Sequence, residues 1–125
     1  MLFRSTALVR GELLRAVEVS GEALAAASAL RTVSLTAQGR SAAVVLGVAT
    51  PHGPRITLTA AVPRPVVLGA GGEIADPRDL DAVAGLCGWY DDPHGPPDWR
   101  EAVSRLLVEE VLTDLDRLDP SGAAA

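Results

Sequence analysis

The sequence predicts an α+β fold: an antiparallel β-meander of three to four strands, with an N-terminal helix before it and two C-terminal helices packed on one face. Three stretches carry that expectation. Residues 41–62 read as a β-hairpin, residues 76–88 as a short helix with start and stop signals, and residues 98–118 as a long helix. A chain of 125 residues suits one domain, placed over residues 1–120, with a flexible tail at 121–125.

The N-terminal elements are the most ambiguous. Residues 2–9 suit either a short strand or the first turns of a helix. Residues 11–30 read better as helix, because Leu13, Val17 and Leu24, with the smaller Ala16 and Ala27, fall near one face. Gly21 weakens such a helix by about 1 kcal/mol relative to Ala, and Ser20 is placed to cap a second helix from Glu22. A hairpin turning at Arg10-Gly11 is the alternative.

Residues 31–37 return to the two-residue period of a strand, with Val33, Leu35 and Ala37 opposite Ser34 and Thr36. After a turn at 38–40, the run 43–49 is apolar on both faces, which suits a strand inside a sheet. Thr50-Pro51-His52-Gly53-Pro54 is turn chemistry. Ile56, Leu58, Ala60 and Val62 then alternate with Arg55, Thr57, Thr59 and Ala61. Pro63 and Pro65 stop the ladder, since proline has no N–H to donate, and 66–68 add a short edge strand. Residues 69–72 read as a flexible glycine-rich joint. No Lys-Ser or Lys-Thr pair follows them, so they are no phosphate loop.

Asp76-Pro77-Arg78-Asp79 has the form of a helix start, with Asp at the N-cap and Pro in the first turn. Leu80, Val83, Ala84 and Cys87 make one apolar stripe, and Gly88 ends it. Residues 89–97 form a loop. Asp98 and Glu101 then make a capping-box pattern for the last helix. That helix is apolar over about half its circumference at about 100° per residue. Trp99, Ala102, Val103, Leu106 and Leu107 share one side, and Val108, Val111, Leu112, Leu115 and Leu118 extend it. One flat sheet is not expected to cover so wide a band, so its second half is expected to meet a partner subunit.

Composition narrows the function classes. The chain has no Lys, no Asn and a single cysteine, Cys87, so it has no internal disulfide. The shortage of residues with AT-rich codons points to a GC-rich bacterial genome. Residues 1–72 are net +4 and residues 73–125 net −9, leaving −5 for this small acidic protein. A nucleic-acid binder needs a basic footprint, so nucleic acid is not an expected partner. No apolar run of about 18 residues is present to span a membrane, and the charges among residues 12–22 interrupt any signal-peptide core. The expected location is cytoplasmic.

Candidate chemistry is sparse. The two histidines sit in identical tetrapeptides, Pro51-His52-Gly53-Pro54 and Pro93-His94-Gly95-Pro96, the second beside Asp91, Asp92 and Asp98. Two rigid loops presenting imidazoles beside carboxylates could form an acid/base pair or a metal site. The plainer reading is that each tetrapeptide is a turn and the histidine a passenger. No metal-ligand spacing appears, so neither metal nor cofactor is expected. Cys87 lies on a buried stripe, where cysteine behaves as a small hydrophobe. Trp89, Tyr90 and Trp99 bracket the acidic loop, either anchoring it to the core or forming a recognition patch.

The helix–meander–helix order resembles small dimeric adaptor and secretion-chaperone-like domains in architecture. The expected function is a non-enzymatic protein-interaction module (adaptor, chaperone-like or accessory) acting as a homodimer, with Trp89, Tyr90, Trp99, Val108, Leu112 and Leu115 at its interfaces. The alternative is a small enzyme or apolar-ligand carrier with a pocket between sheet and helices, using His52, His94 and Asp91 or Asp92.

Overall fold

A computed structural model describes residues 8–119. Four strands form an antiparallel meander in chain order: β1 (Ser28–Val33), β2 (Ala43–Thr50), β3 (Gly53–Thr59) and β4 (Val66–Gly69). A one-turn helix, α1 (Gly21–Ala25), precedes the sheet; α2 (Asp81–Leu86) and α3 (Pro97–Leu118) follow it. The architecture is α+β. Among the described residues, no helix is long and apolar enough to cross a membrane.

The pairing follows from the apolar pattern. Leu46 lies opposite Leu30 on β1 and Thr57 on β3, while Val45 lies opposite Arg31 and Leu58. Directly paired residues share a face. The inner face therefore carries Val33, Val45, Ile56, Leu58, Val66 and Leu68. Helices α2 and α3 pack on that face, contributing Val83, Leu107, Val108, Val111, Leu112 and Leu115 to a single core. Inner position 47 is glycine, which leaves room for α3 to come close. β2, apolar on both sides in sequence, is an interior strand; β4 is the expected short edge strand, and β1 is the opposite edge.

The last helix corrects one expectation. Its broad apolar band is not left over for a partner: Val108, Leu112 and Leu115 are 1%, 3% and 4% exposed beneath the chain's own sheet and neighbouring loops. A twisted sheet wraps further around a helix than a flat one, and Leu80, Val83 and Ile74 close the side that the strands do not reach. Leu106 and Leu118 are the large apolar side chains of α3 that remain exposed.

The N-terminal half differs more. Residues 11–30 are not one helix; only Gly21–Ala25 is helical, and Ser28–Val33 is strand β1. Helices this short are marginal in water without a packed face, and no core lies beside Leu13, Val17 and Leu24, which stay exposed. Ser20 does cap α1, its Oγ accepting from the Ala23 N–H at 3.1 Å. The alternative turn at Arg10-Gly11 is present: the Glu12 N–H donates to the Val9 carbonyl at 3.0 Å, with Gly11 at φ +96°. Its flanks are not paired strands among the described residues. The expected strand over 31–37 sits three residues earlier and ends at Val33. Most of residues 2–9 and the whole of 121–125 lie outside the described residues.

Two helix starts are also displaced. Asp76 organises a turn before α2, its carboxylate accepting from the Arg78 N–H at 2.8 Å. Asp79 instead reaches into α2, accepting from the Ala82 N–H at 3.1 Å. Helix α3 begins at Pro97 with Pro96 as N-cap and no side-chain cap, so the Asp98–Glu101 capping box is not formed. A proline in the first turn loses nothing there, because that N–H would be unpaired in any case. Residues 69–72 form a tight turn and not a loose joint: the Gly69 N–H donates to the Ile74 carbonyl and the Gly72 N–H to that of Gly69.

Candidate functional site

The β1 side of the sheet leaves apolar side chains uncovered. The outer face carries Leu30, Val44, Leu46, Val48 and Val67, with Thr32, Arg55, Thr57 and Thr59 between them. No helix covers this face among the described residues. Leu30 and Leu46, directly opposed in the ladder, are 57% and 39% exposed. Among the described residues β1 has a strand on one side only, and on its outward edge the Leu30 carbonyl accepts from Arg31 Nη1 at 3.0 Å. Open edges of this kind invite pairing with another strand.

Where β1 meets α3 the surface turns charged. The Arg31 guanidinium projects from the inner side of the strand and pairs with Asp114, with Glu110 at 3.5 Å. A shallow, open hollow of about 340 Å³ lies there, lined by Arg31, Glu109, Glu110, Thr113, Asp114 and Arg117. Sequence reading did not find this site, because the outer face and the α3 rim come together only through the register of β1 on β2.

The loop before α3 is organised by Arg100, a residue not singled out in the sequence. Its side chain is fully buried. Nε donates to the Gly95 carbonyl at 2.9 Å, and Nη1 donates to the carbonyls of Ala42 and Ala60 at 2.5 and 3.0 Å. Nη2 pairs with the Asp92 carboxylate. Asp92 also accepts from the His94 N–H at 2.8 Å. Partial burial alone would raise the Asp92 carboxyl; the His94 N–H and the Arg100 guanidinium outweigh it and hold that carboxyl below its ordinary value. Asp92 is thus a structural anion and is held ionised, which does not suit a general acid.

The three aromatics are half-buried around the same loop. Trp89 packs against the core, and the Tyr90 N–H donates to the Ala61 carbonyl at 2.9 Å. The Arg100 guanidinium lies 5.9 Å from the Tyr90 ring centroid. The Trp99 ring covers Gly95, where an added Cβ would come within 2.6 Å of it. This matches the anchoring role. Cys87 is half-buried and free, and burial pushes its thiol above the ordinary value, away from the thiolate a nucleophile needs.

The histidines do not converge. His94 stands at the α3 N-terminal end, where Arg100 ties the loop to Ala42 at the start of β2. His52 is in the β2–β3 turn, past the other end of the eight-residue β2. Eight residues of strand span roughly 25 Å, so a two-histidine site is excluded by geometry. Asp91 and Asp92 stay with His94. A small hollow of about 60 Å³ near the β2–β3 turn is lined by Ala49, Pro54 and Leu115 among others, and neither histidine lines it. Among the described residues, no cluster of three His, Cys, Asp or Glu could hold a metal ion.

No family model, curated protein or solved structure matches this chain.

Proposed function

We propose that the chain is a non-enzymatic protein-interaction module, of adaptor, chaperone-like or accessory kind, that acts as a homodimer through the β1 side of its sheet. The observation that carries this is the open outer face: Leu30 and Leu46 stand side by side in solvent next to an unpaired strand edge. Apolar side chains grouped on one face beside an open edge make a surface suited to docking. The support has moved from the last helix, whose band is covered, to the opposite face of the sheet. A cytoplasmic location accords with the free Cys87 thiol.

The test is molar mass in solution by light scattering. The wild type is expected to be a dimer at micromolar concentration. Leu30→Arg with Leu46→Arg is expected to give a monomer with unchanged far-ultraviolet circular dichroism, since neither side chain belongs to the core. A wild type that is monomeric at that concentration overturns the reading.

A further inference from the structure

Residues 12–19 follow the Arg10-Gly11 turn without helix or strand, and every one of them is exposed. Leu13, Leu14, Val17 and Val19 are 78%, 68%, 76% and 59% exposed. Among the described residues, 13–19 take part in no main-chain hydrogen bond. Hydrogen-bonded structure begins at Ser20, whose Oγ accepts from the Ala23 N–H and whose carbonyl accepts from the Leu24 N–H. No side chain of 12–19 belongs to the core. Arg15 stands in the middle of this bare stretch.

An endoprotease cleft takes its substrate as extended chain with free N–H and C=O groups on both sides of the bond it cuts. A bond inside a helix, a sheet or a tight turn must first be opened, and that opening costs free energy. Residues 12–19 need no opening. We propose that Arg15–Ala16 is an endoproteolytic processing site of the folded chain, cut by an arginine-specific protease whose primary pocket carries a carboxylate for the guanidinium. Water is the co-reactant: the Arg15–Ala16 C–N bond breaks, the hydroxyl goes to the Arg15 carbonyl carbon and the proton to the Ala16 nitrogen. The fragment that starts at Ala16 keeps α1, the four strands, α2 and α3. This inference stands apart from the homodimer reading, because it uses neither the outer face nor the β1 edge.

The other described arginines are held where a cleft cannot take them. Arg31 and Arg55 lie in paired strands, and Arg100, Arg105 and Arg117 in α3. Arg64 is followed by Pro65, which has no N–H and a fixed φ. The Arg78 N–H is bonded to Asp76 and its guanidinium to Glu109. Arg10 sits in the turn that the Glu12 N–H closes on the Val9 carbonyl. Arg40 is the nearest rival, exposed in the β1–β2 connection. That connection is closed by the Ala42 N–H on the Val33 carbonyl at 2.7 Å, so extending it means opening the end of the β1–β2 ladder.

The test is limited digestion of the full chain by trypsin under native conditions, with fragments identified by intact mass. Within residues 8–119 the first cut is expected at Arg15–Ala16, and the fragment 16–125 is expected to accumulate with the far-ultraviolet circular dichroism of a folded sheet and helices. The rate of this cut is expected to stay flat in urea up to the onset of unfolding, because nothing has to open, while cutting after Arg40 rises with urea. Arg15→Gln is expected to slow the first cut by about tenfold or more, since every remaining site needs opening, and Arg15→Lys to keep it. A first cut after Arg10 or Arg40 overturns the proposal. So does a cut after Arg15 whose rate climbs with urea, a fragment 16–125 that is digested as fast as it forms, or an Arg15→Gln chain cut as fast elsewhere.

Discussion

Gly47 and Val111 face each other so closely that no side chain fits between them: a Cβ on Gly47 would stand 2.3 Å from Val111 Cγ1 and 2.9 Å from Leu115 Cδ1. Helix α3 thus lies directly against the backbone of β2. This close approach is why Val111, Leu112 and Leu115 disappear into the subunit that carries them. Gly47→Ala is expected to destabilise the fold by about 1–3 kcal/mol, as overpacking does. Gly47→Val should cost more. Urea denaturation measures both. Val111→Ala opens the space opposite, so the Gly47→Ala/Val111→Ala pair is expected to be less destabilised than the sum of the two single changes.

Arg100 joins three parts of the chain that are far apart in sequence: the start of β2 through Ala42, the end of the hairpin through Ala60, and the loop through Gly95 and Asp92. Arg100→Met keeps much of the volume but leaves the carbonyls without their donor. Each buried polar group left unpaired costs about 1–3 kcal/mol, so a loss of about 3 kcal/mol or more is expected by urea or thermal unfolding. Arg100→Lys is expected to recover part of it, because one ammonium reaches fewer of these oxygens than the planar guanidinium. A Met variant as stable as the wild type would show that the three connections are not held by this side chain.

The Asp92 carboxyl, held below its ordinary value, gives the fold a defined acid response. Its pKa is lower folded than unfolded, so its contribution is complete above the unfolded value and is lost as pH falls through the folded one. Asp92 is partly exposed, and solvent limits the size of the effect. Asp92→Asn is expected to lower stability modestly at neutral pH and to narrow the stability difference between neutral and acid pH. Urea midpoints at a series of pH values report it; identical acid limbs for both proteins would assign that response to other carboxyls.

The elements that were legible from sequence are those whose local signals agree with their burial. β3 alternates, β2 is apolar on both faces, and the two are joined by a proline-glycine turn at the centre of the sheet. Gly88 stops the helical stretch as expected, at φ +72°, with its N–H on the Val83 carbonyl. Residues 11–20 failed because a helical spacing of Leu13 and Val17 says only that a face exists. It does not say that anything lies against it. The reach of the last helix failed for the converse reason: how far a twisted sheet and the Ile74, Leu80 and Val83 side chains extend cannot be read from the helix alone. Arg100 was invisible because its partners are backbone carbonyls, which leave no mark on residue type. The histidine pair illustrates a further limit, since identical tetrapeptides 42 residues apart carry no information about distance in space.

Ala60 shows where the packing holds a locally unfavourable backbone. It has φ +66°, alone in that region among the described non-glycine residues. For a residue with a Cβ this conformation costs about 1–2 kcal/mol. Its carbonyl accepts from Arg100 Nη1, and its neighbour Ala61 accepts from the Tyr90 N–H. The bend therefore points consecutive carbonyls at the Arg100 guanidinium and the Tyr90 N–H. Glycine meets no steric penalty at this φ, although it raises the entropy of the unfolded chain by about 0.4–1 kcal/mol. Ala60→Gly is accordingly expected to raise stability by roughly 0.5–1 kcal/mol, and Ala60→Val, which adds β-branching at a positive φ, to lower it. Thermal unfolding of the two variants tests the sign. If Ala60→Gly destabilises while Ala60→Val does not, the backbone at this position is not strained, and the account of why Arg100 finds its acceptors fails with it.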